Sequence, residues 1–367
     1  MNNGLTIVGA GLVGSSLALA LAEAGISVRL IDANPPVPMP AFPDLRVVAL
    51  NRHSIQWLQK TGIWPSLDQA RLGIFETLCI EDKGESLCFD AASQGYSRLG
   101  VIAENNHLLS VAQAACLKHP KIQTQFHEKF VYHPEDPRLV IAADGAHSAL
   151  REAMNIPCFT HDYDQRAWVC YVKLEKPHKN QAWQIFLPSG PLAFLPMPDP
   201  HTASIVWTLP QDSDLTLTDD SIAQASQFHF GKINIISSIA HFPLRLQLAG
   251  EYFKQNLVFL GDAIHTIHPL AGQGVNLGFA DAASLFSLLV KNPPQHWTKP
   301  LLLKRYQRDR RWPNTIMAHS MSAINLLFRE EQGCWGTARS RLVKTLDGCS
   351  GVKRTIEDTL MVFFHRR

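Results

Sequence analysis

The chain has almost no excess of charge of either sign: 34 Lys and Arg stand against 32 Asp and Glu in 367 residues. That balance excludes a broad electrostatic footprint for nucleic acid, so any partner must be recognised locally. There is no CxxC pair either. The seven cysteines, Cys79, Cys88, Cys116, Cys158, Cys170, Cys334 and Cys349, are odd in number and scattered, which reads as a reducing cytoplasm. No apolar run reaches transmembrane length. The apolar N-terminal stretch is broken by Gly9, Gly11 and Gly14, contains Glu23 and has no basic leader, so it does not read as a signal peptide. What remains, 46% hydrophobic and 18% charged, is an ordinary globular composition long enough for two cores.

The first thing present is a βαβ unit. LTIVGAG (Leu5 to Gly11) is an apolar strand running into glycines, LVGSSLALALAEAG is a helix stopped by Gly25, and SVRLID is the next strand. Gly9, Gly11 and Gly14 have GxGxxG spacing, and Asp32 closes the second strand where a carboxylate can accept ribose hydroxyls. Gly9 permits the tight turn, Gly11 lets a pyrophosphate approach the backbone, and Gly14 allows the helix to pack closely on the strand; Leu12 and Val13 complete the turn. A glycine-rich turn of some other α/β domain has the same pattern, but the strand, the helix and the spaced acid point to an ADP-containing dinucleotide.

NAD and FAD both fit that turn. Two further strands end in Gly/Asp pairs: LVIAADGAHSALR (Leu139 to Arg151), with Asp144 and Gly145, and NLVFLGDA (Asn256 to Ala263), with Gly261 and Asp262. A nicotinamide dehydrogenase needs neither. The second runs on into IHTIHPLAGQGVNLGFADAAS, where helical spacing begins near Leu277. Gly272 to Asn276 is therefore expected to be a helix N-terminus with bare peptide N–H groups facing an electron-rich ligand.

These three motifs, in this order, resemble the class A flavoprotein monooxygenases. The long GD stretch looks like the UbiH/UbiF-type hydroxylases of ubiquinone biosynthesis. RVVALNRHSIQWLQKTGIW, LGVIAEN, GPLAFLPMP, SIVWTLP and LLKRYQRDRR extend the likeness along nearly the whole chain, and FDAASQGYSRLG leans toward the UbiF-type members. The resemblance implies FAD as cofactor and NAD(P)H as a transient electron donor, since no second GxGxxG exists. It implies reaction with O2 to a C4a-hydroperoxyflavin and hydroxylation of a polyprenylated phenol or quinol. By similarity, Asp262 would hold the ribityl chain, Arg46 and Asn105 would lie along the ribityl-pyrophosphate path, and Pro269 would flank the isoalloxazine ring. Gly272, Gln273, Gly274, Val275 and Asn276 would present peptide N–H groups to the flavin N1 and O2 edge, where negative charge develops.

The implied fold is a Rossmann-like FAD domain (1–74, 99–158 and 243–300), a mostly antiparallel substrate sheet (75–98 and 159–242) and a C-terminal helical region (301–367). Because the family places its substrate between sheet and flavin, Phe186, Phe194, Leu195, Pro196 and Trp207 are candidate pocket residues. His265 and His268, three apart, have no Cys or Glu nearby to complete a metal set, so no metal is expected. A place close to the flavin, with His268 as a proton relay for a phenol, stands beside the plainer reading of histidines satisfied by backbone carbonyls. The basic, amphipathic C-terminal region ending in TIEDTLMVFFHRR is either a solvated face or a weak membrane-surface contact. One departure matters: FHEKFVYHPEDPRLVIAADG passes almost directly from Phe126 to Leu139, where relatives usually carry a hairpin. That keeps two other readings open, an FAD-binding scaffold among other ubiquinone-biosynthesis proteins and a hydroxylase of a small soluble aromatic acid, with Arg98 and Arg166 as conceivable clamps.

Overall fold

The structure is a computed structural model that describes residues 4–41, 43–268 and 272–329. Pro269 and the TIEDTLMVFFHRR segment therefore lie outside the described residues. A six-stranded sheet is built on the parallel strands Leu257–Phe259, Val140–Ala142, Leu5–Val8, Val28–Ile31 and Ile122–Gln125, in that spatial order, with Phe253–Lys254 added antiparallel at one edge. Its central strands, Leu5–Val8, Val140–Ala142 and Leu257–Phe259, are almost wholly apolar, as expected for a parallel sheet covered on both faces. The Leu12–Glu23, Asn105–Lys118 and Gly274–Val290 helices supply much of that cover, and their apolar residues share one core with the strands.

A second sheet has nine strands and is largely antiparallel. Its centre is the long strand Cys158–Leu174, which pairs with Thr202–Pro210 on one side and Ala240–Ala249 on the other. The Ala240–Ala249 strand runs through the expected domain boundary at 243 and pairs at the sheet edge with His265–Thr266, while Ile233–Ile235 pairs with the end of the long strand, so the large sheet draws on residues past that boundary. Gly190–Pro196, Gln181–Leu187 and the hairpin Thr77–Asp82/Glu85–Asp90 complete the sheet outward. Within that hairpin Cys79 faces Cys88 and the two sulfurs are joined as a disulfide. The reading of scattered cysteines in a reducing compartment did not anticipate this pair, which forms because the turn sets residues nine apart directly opposite each other.

The large sheet is apolar on both faces, which explains why its sequence runs are aromatic throughout. One face, with Cys170, Val172, Trp183, Ile185, Phe194, Ile205 and Trp207, packs under Ile222 and Ala223 of the Asp219–Ala225 helix and Phe230 beyond it. The other, with Tyr163, Ala167, Phe186, Leu244 and Leu246, packs against Ile267, Leu277 and the long helix Pro300–Arg329 through Met317 and Met321. No described residue between Gln125 and Val140 forms a strand. The connection is held down instead: Asn256 Nδ2 donates to the Asp136 and Arg138 carbonyls at 2.6 and 2.7 Å, and Phe126, Phe130 and Tyr132 pack on the core.

Candidate active site

All three glycine-bearing turns stand at the carboxyl ends of neighbouring parallel strands, where ligands bind in open α/β sheets. They are also tied together. Ala143 N–H donates to the Val8 carbonyl at 2.7 Å and Leu260 N–H to the Ala142 carbonyl at 3.0 Å. Buried Arg151 bridges the second and third turns, donating to the Ala146 and Ala263 carbonyls at 2.9 and 2.8 Å.

The glycines divide into two kinds. At Gly9 (φ +101°) an added Cβ would lie 2.2 Å from the Ala143 carbonyl oxygen, and at Gly14 it would lie 2.0 Å from the Gly9 carbonyl oxygen. These two make the fold possible. At Gly11, Gly145 and Gly274 an added Cβ would meet no protein atom within 4 Å. Their peptides face open space, and Gly11 and Gly274 begin the Leu12–Glu23 and Gly274–Val290 helices, where N–H groups are unpaired within the helix. Leu12 is buried, half-buried Val275 packs on the core, and Val13 lies against Gly261 (φ +62°) and Gly278. Gly272 (φ +61°) presses on Ala49, 2.9 Å from where its Cβ would be.

Asp32 accepts from Ala10 N–H at 2.7 Å and Asn34 N–H at 2.8 Å, which orients its carboxylate over the first turn. Asp144 accepts from Leu150 N–H at 3.3 Å through Oδ2, while Oδ1 is buried with no partner among the described residues. Burial pushes the Asp144 carboxyl up from its ordinary value, offset by hydrogen bonds and by Arg151. Asp262 opens into the cleft but is hemmed in by protein on its other sides; this enclosure raises its carboxyl, with His265 and Arg46 acting against the rise. Arg46 is near enough for its charge to act on Asp262, and its carbonyl accepts from Asn105 N–H at 2.9 Å. Behind it the Glu104 carboxylate pairs with Arg71 at 2.6 Å and accepts from Asp44 N–H at 2.8 Å, fixing the segment that carries Arg46.

Asn276 holds the helix end itself. The Asn276 amide accepts from Ser54 Oγ at 2.6 Å and Asn51 N–H at 3.1 Å and donates to the Ala49 and Gly272 carbonyls at 2.8 and 3.1 Å. Its side chain is therefore a clamp within the protein. Gln273 is buried and stands at the N-cap position. His265 is not held by backbone carbonyls: its Nε2 lies 2.6 Å from Asp281 Oδ2 with both side chains fully buried. Asp281 also accepts from Gly261 N–H at 3.1 Å, Arg310 at 2.7 Å and Asn314 at 3.0 Å. Burial alone would raise the Asp281 carboxyl, but His265 and Arg310 pull it down to about 2. His268 is buried edge-on to Tyr163, ring centres 5.0 Å apart, and burial lowers it to about 4. It is neutral at physiological pH, as a proton acceptor must be. Among the described residues no cluster of three His, Cys, Asp or Glu side chains could hold a metal.

Of the candidate pocket residues, Phe186 and Leu195 lie on the face toward the cleft: Phe186 packs with Ile267 and Leu277, and Leu195 with Val47 and Ala49. Phe194 and Trp207 do not. Strand alternation turns them to the opposite face, beside Trp183 and Phe230, so they form core rather than pocket. The Pro196 carbonyl is pressed against Gly73, whose Cβ would lie 2.0 Å away. Sequence reasoning missed Asp281, Gly278 and Arg310. Gly278 sits four residues beyond Gly274 and lets the helix close on Val13, 2.6 Å from its missing Cβ, a signal that was visible as a further small residue in the motif.

The open peptides, the unpaired Asp144 oxygen and the enclosed Asp262 fit a long cofactor with a pyrophosphate and a hydroxyl-bearing chain, and known proteins agree. A family model described as "FAD binding domain" matches residues 4–82 and 102–317. The chain is 33% identical to 3-demethoxyubiquinol 3-hydroxylase of Escherichia coli K12, covering 86% of this chain and 88% of that protein. It is 31% identical to ubiquinone hydroxylase UbiL of Rhodospirillum rubrum, covering 95% and 87%. The fold superimposes on p-nitrophenol 4-monooxygenase PnpA of Pseudomonas putida with a TM-score of 0.80 at 17% identity, over 99% of this chain and 98% of that one. The cofactor is FAD, and the chain belongs to the FAD-binding-domain family, among the class A flavoprotein hydroxylases of ubiquinone biosynthesis.

Proposed function

We propose that the protein uses FAD, O2 and an external donor such as NAD(P)H to place a hydroxyl on the ring of a polyprenylated phenol or quinol in ubiquinone biosynthesis. When bound, reduced FAD supplies the oxygen-activating chemistry. Gly11 and the Leu12–Glu23 helix end would receive the pyrophosphate, Asp32 a ribose, Asp262 and Arg46 the ribityl side, and the Gly274 helix end the pyrimidine edge of the flavin. His268, buried and neutral, would take the phenol proton. The observation that carries the substrate class is the sheet face toward the cleft, where Val169, Phe186, Ala193, Leu195 and Val206 are apolar and Arg166 shares the opposite parity with Trp168. The cation that shares the parity of Val169, Lys173, is already paired with Asp199. Arg98 lies over the Trp64 ring at 5.8 Å, which disfavours a small aromatic acid as substrate.

No described helix is long and apolar enough to cross a membrane. A peripheral contact suits the exposed stripe of the last helix, where Leu301 (83% exposed) and Trp312 (70%) stand among Lys304, Arg305, Arg308 and Arg311. The missing hairpin between Gln125 and Val140 favours one other reading, an FAD-binding scaffold of a ubiquinone-synthesis assembly. Mass spectrometry of quinone intermediates separates the two. A strain lacking the protein and complemented with a version that binds FAD but has lost His268 should still accumulate an under-hydroxylated prenylated precursor. Full restoration of ubiquinone by that version would favour the scaffold.

A further inference from the structure

A row of side chains crosses the cleft-facing side of the large sheet in strict register: Ile80 opposite Gln184, Gln184 opposite Ala193, Ala193 opposite Val206, and Val206 opposite Val169. Four of the five are apolar. The fifth, Gln184, must lie on this face because its neighbours Trp183 and Ile185 belong to the core on the other. Its residue is only 9% exposed, yet its amide has no hydrogen-bond partner among the described residues. The row runs between two places where the sheet touches the cofactor side of the molecule: Phe186 against Ile267 and Leu277, and Leu195 against Ala49, the residue that meets Gly272. Between those contacts Ala193 and Val206 are only partly buried, Val206 at the margin of the Phe186 cluster, so the middle of the row is partly open. One row along, fully buried Ser204 also has a hydroxyl without a partner.

We propose that Gln184 recognises a ring oxygen of the aromatic substrate, and that the partly open middle of this row, Gln184–Ala193–Val206, is the floor on which the ring rests. The assignment builds on the functional reading above. The amide atoms keep access to solvent but bond no described protein group, and a position needed only to fill space in an apolar row would be served by Leu or Met. An amide offers two N–H donors and one carbonyl acceptor, so it pairs with a phenolic hydroxyl, a quinone carbonyl or a methoxy oxygen and carries no charge that an apolar ring would have to neutralise. A site built to bond a substrate oxygen also rejects a ring that lacks it, because the amide is then left unpaired.

The test uses FAD-loaded protein, with Gln184→Met and Gln184→Leu as variants of similar volume. Dissociation constants are read from the flavin absorbance change for a prenylated phenol and for the same compound with hydrogen in place of the hydroxyl. Wild type should prefer the phenol, and each variant should lose about three- to tenfold of that preference, with FAD affinity unchanged and the thermal midpoint equal or higher. A midpoint that does not fall, together with the lost preference, is the readout a purely structural glutamine would not give. An unchanged preference in the folded variants overturns the assignment, and so does failure of both variants to fold, because a side chain waiting for a ligand is dispensable to the ligand-free protein. If wild type responds to no prenylated phenol, the functional reading falls and this assignment with it.

Discussion

Replacing Gly11 by valine should remove the cofactor and spare the fold. Gly11 has φ −68° and ψ −178°, an extended conformation open to any residue, and no protein atom lies within 4 Å of where its Cβ would stand. The cost to the protein alone is that of a poorer N-cap, about 1 kcal/mol, or roughly 3 °C in the midpoint. The cost to FAD is larger, since the new side chain fills the space a pyrophosphate needs. Losing two hydrogen bonds donated by peptide N–H groups to a charged phosphate, about 1.5–3 kcal/mol each, weakens binding at least about a hundredfold. Gly14→Ala should do the reverse: its methyl would lie 2.0 Å from the Gly9 oxygen and 3.3 Å from the Ala143 Cβ, so helix and strand must part. That overpacking costs about 1–3 kcal/mol in the protein without cofactor. Flavin fluorescence titration and thermal melts of both variants read the two effects separately. A Gly11→Val protein that holds FAD with wild-type affinity would refute the reasoning.

Asp32→Ala should weaken FAD by about 1.5–3 kcal/mol for a lost charged acceptor, checked by the same titration. Gly274→Val, tolerated for the same reason as at Gly11, should keep FAD but make its two-electron potential more negative by about 20–30 mV for one lost hydrogen bond, measured by dye equilibration. Asp281→Ala strands buried Arg310 and should lower stability by about 3–5 kcal/mol in urea titration. His268 and Asp281 both have lowered folded values, so acid favours the unfolded chain. Stability should fall as pH drops from about 6.5 to 4 through His268, and again from about 4 to 2 through Asp281. Replacing His268 with leucine should flatten the first step alone.

The parts of the site that were legible in the sequence are those whose chemistry is local. Gly9, Gly11, Gly14 and Asp32 lie in one βαβ unit, and each of the other two turns carries its glycine and acid side by side after a short apolar strand. Even the split of the glycines into packing and binding positions follows from spacing alone. Asp281 and Arg310 were hidden because Asp281 meets His265 and Gly261, 16 and 20 residues away, and Arg310, 29 residues away, only in the folded chain. Phe194 and Trp207 show a different limit. A strand apolar on one face advertises its inward residues, but this sheet is covered on both faces, so parity cannot be told from composition. Gln184 is the residue in that stretch that breaks the apolar pattern on the cleft side. The Cys79–Cys88 pair needed the hairpin register, which the sequence left open.

The central claim is tested most directly by supplying FAD-loaded protein with a reducing donor, a prenylated phenol and isotopically labelled O2. Mass spectrometry should find one labelled oxygen atom on the product ring. Donor oxidation that yields only peroxide across several prenylated phenols, with no label in any ring, would contradict it.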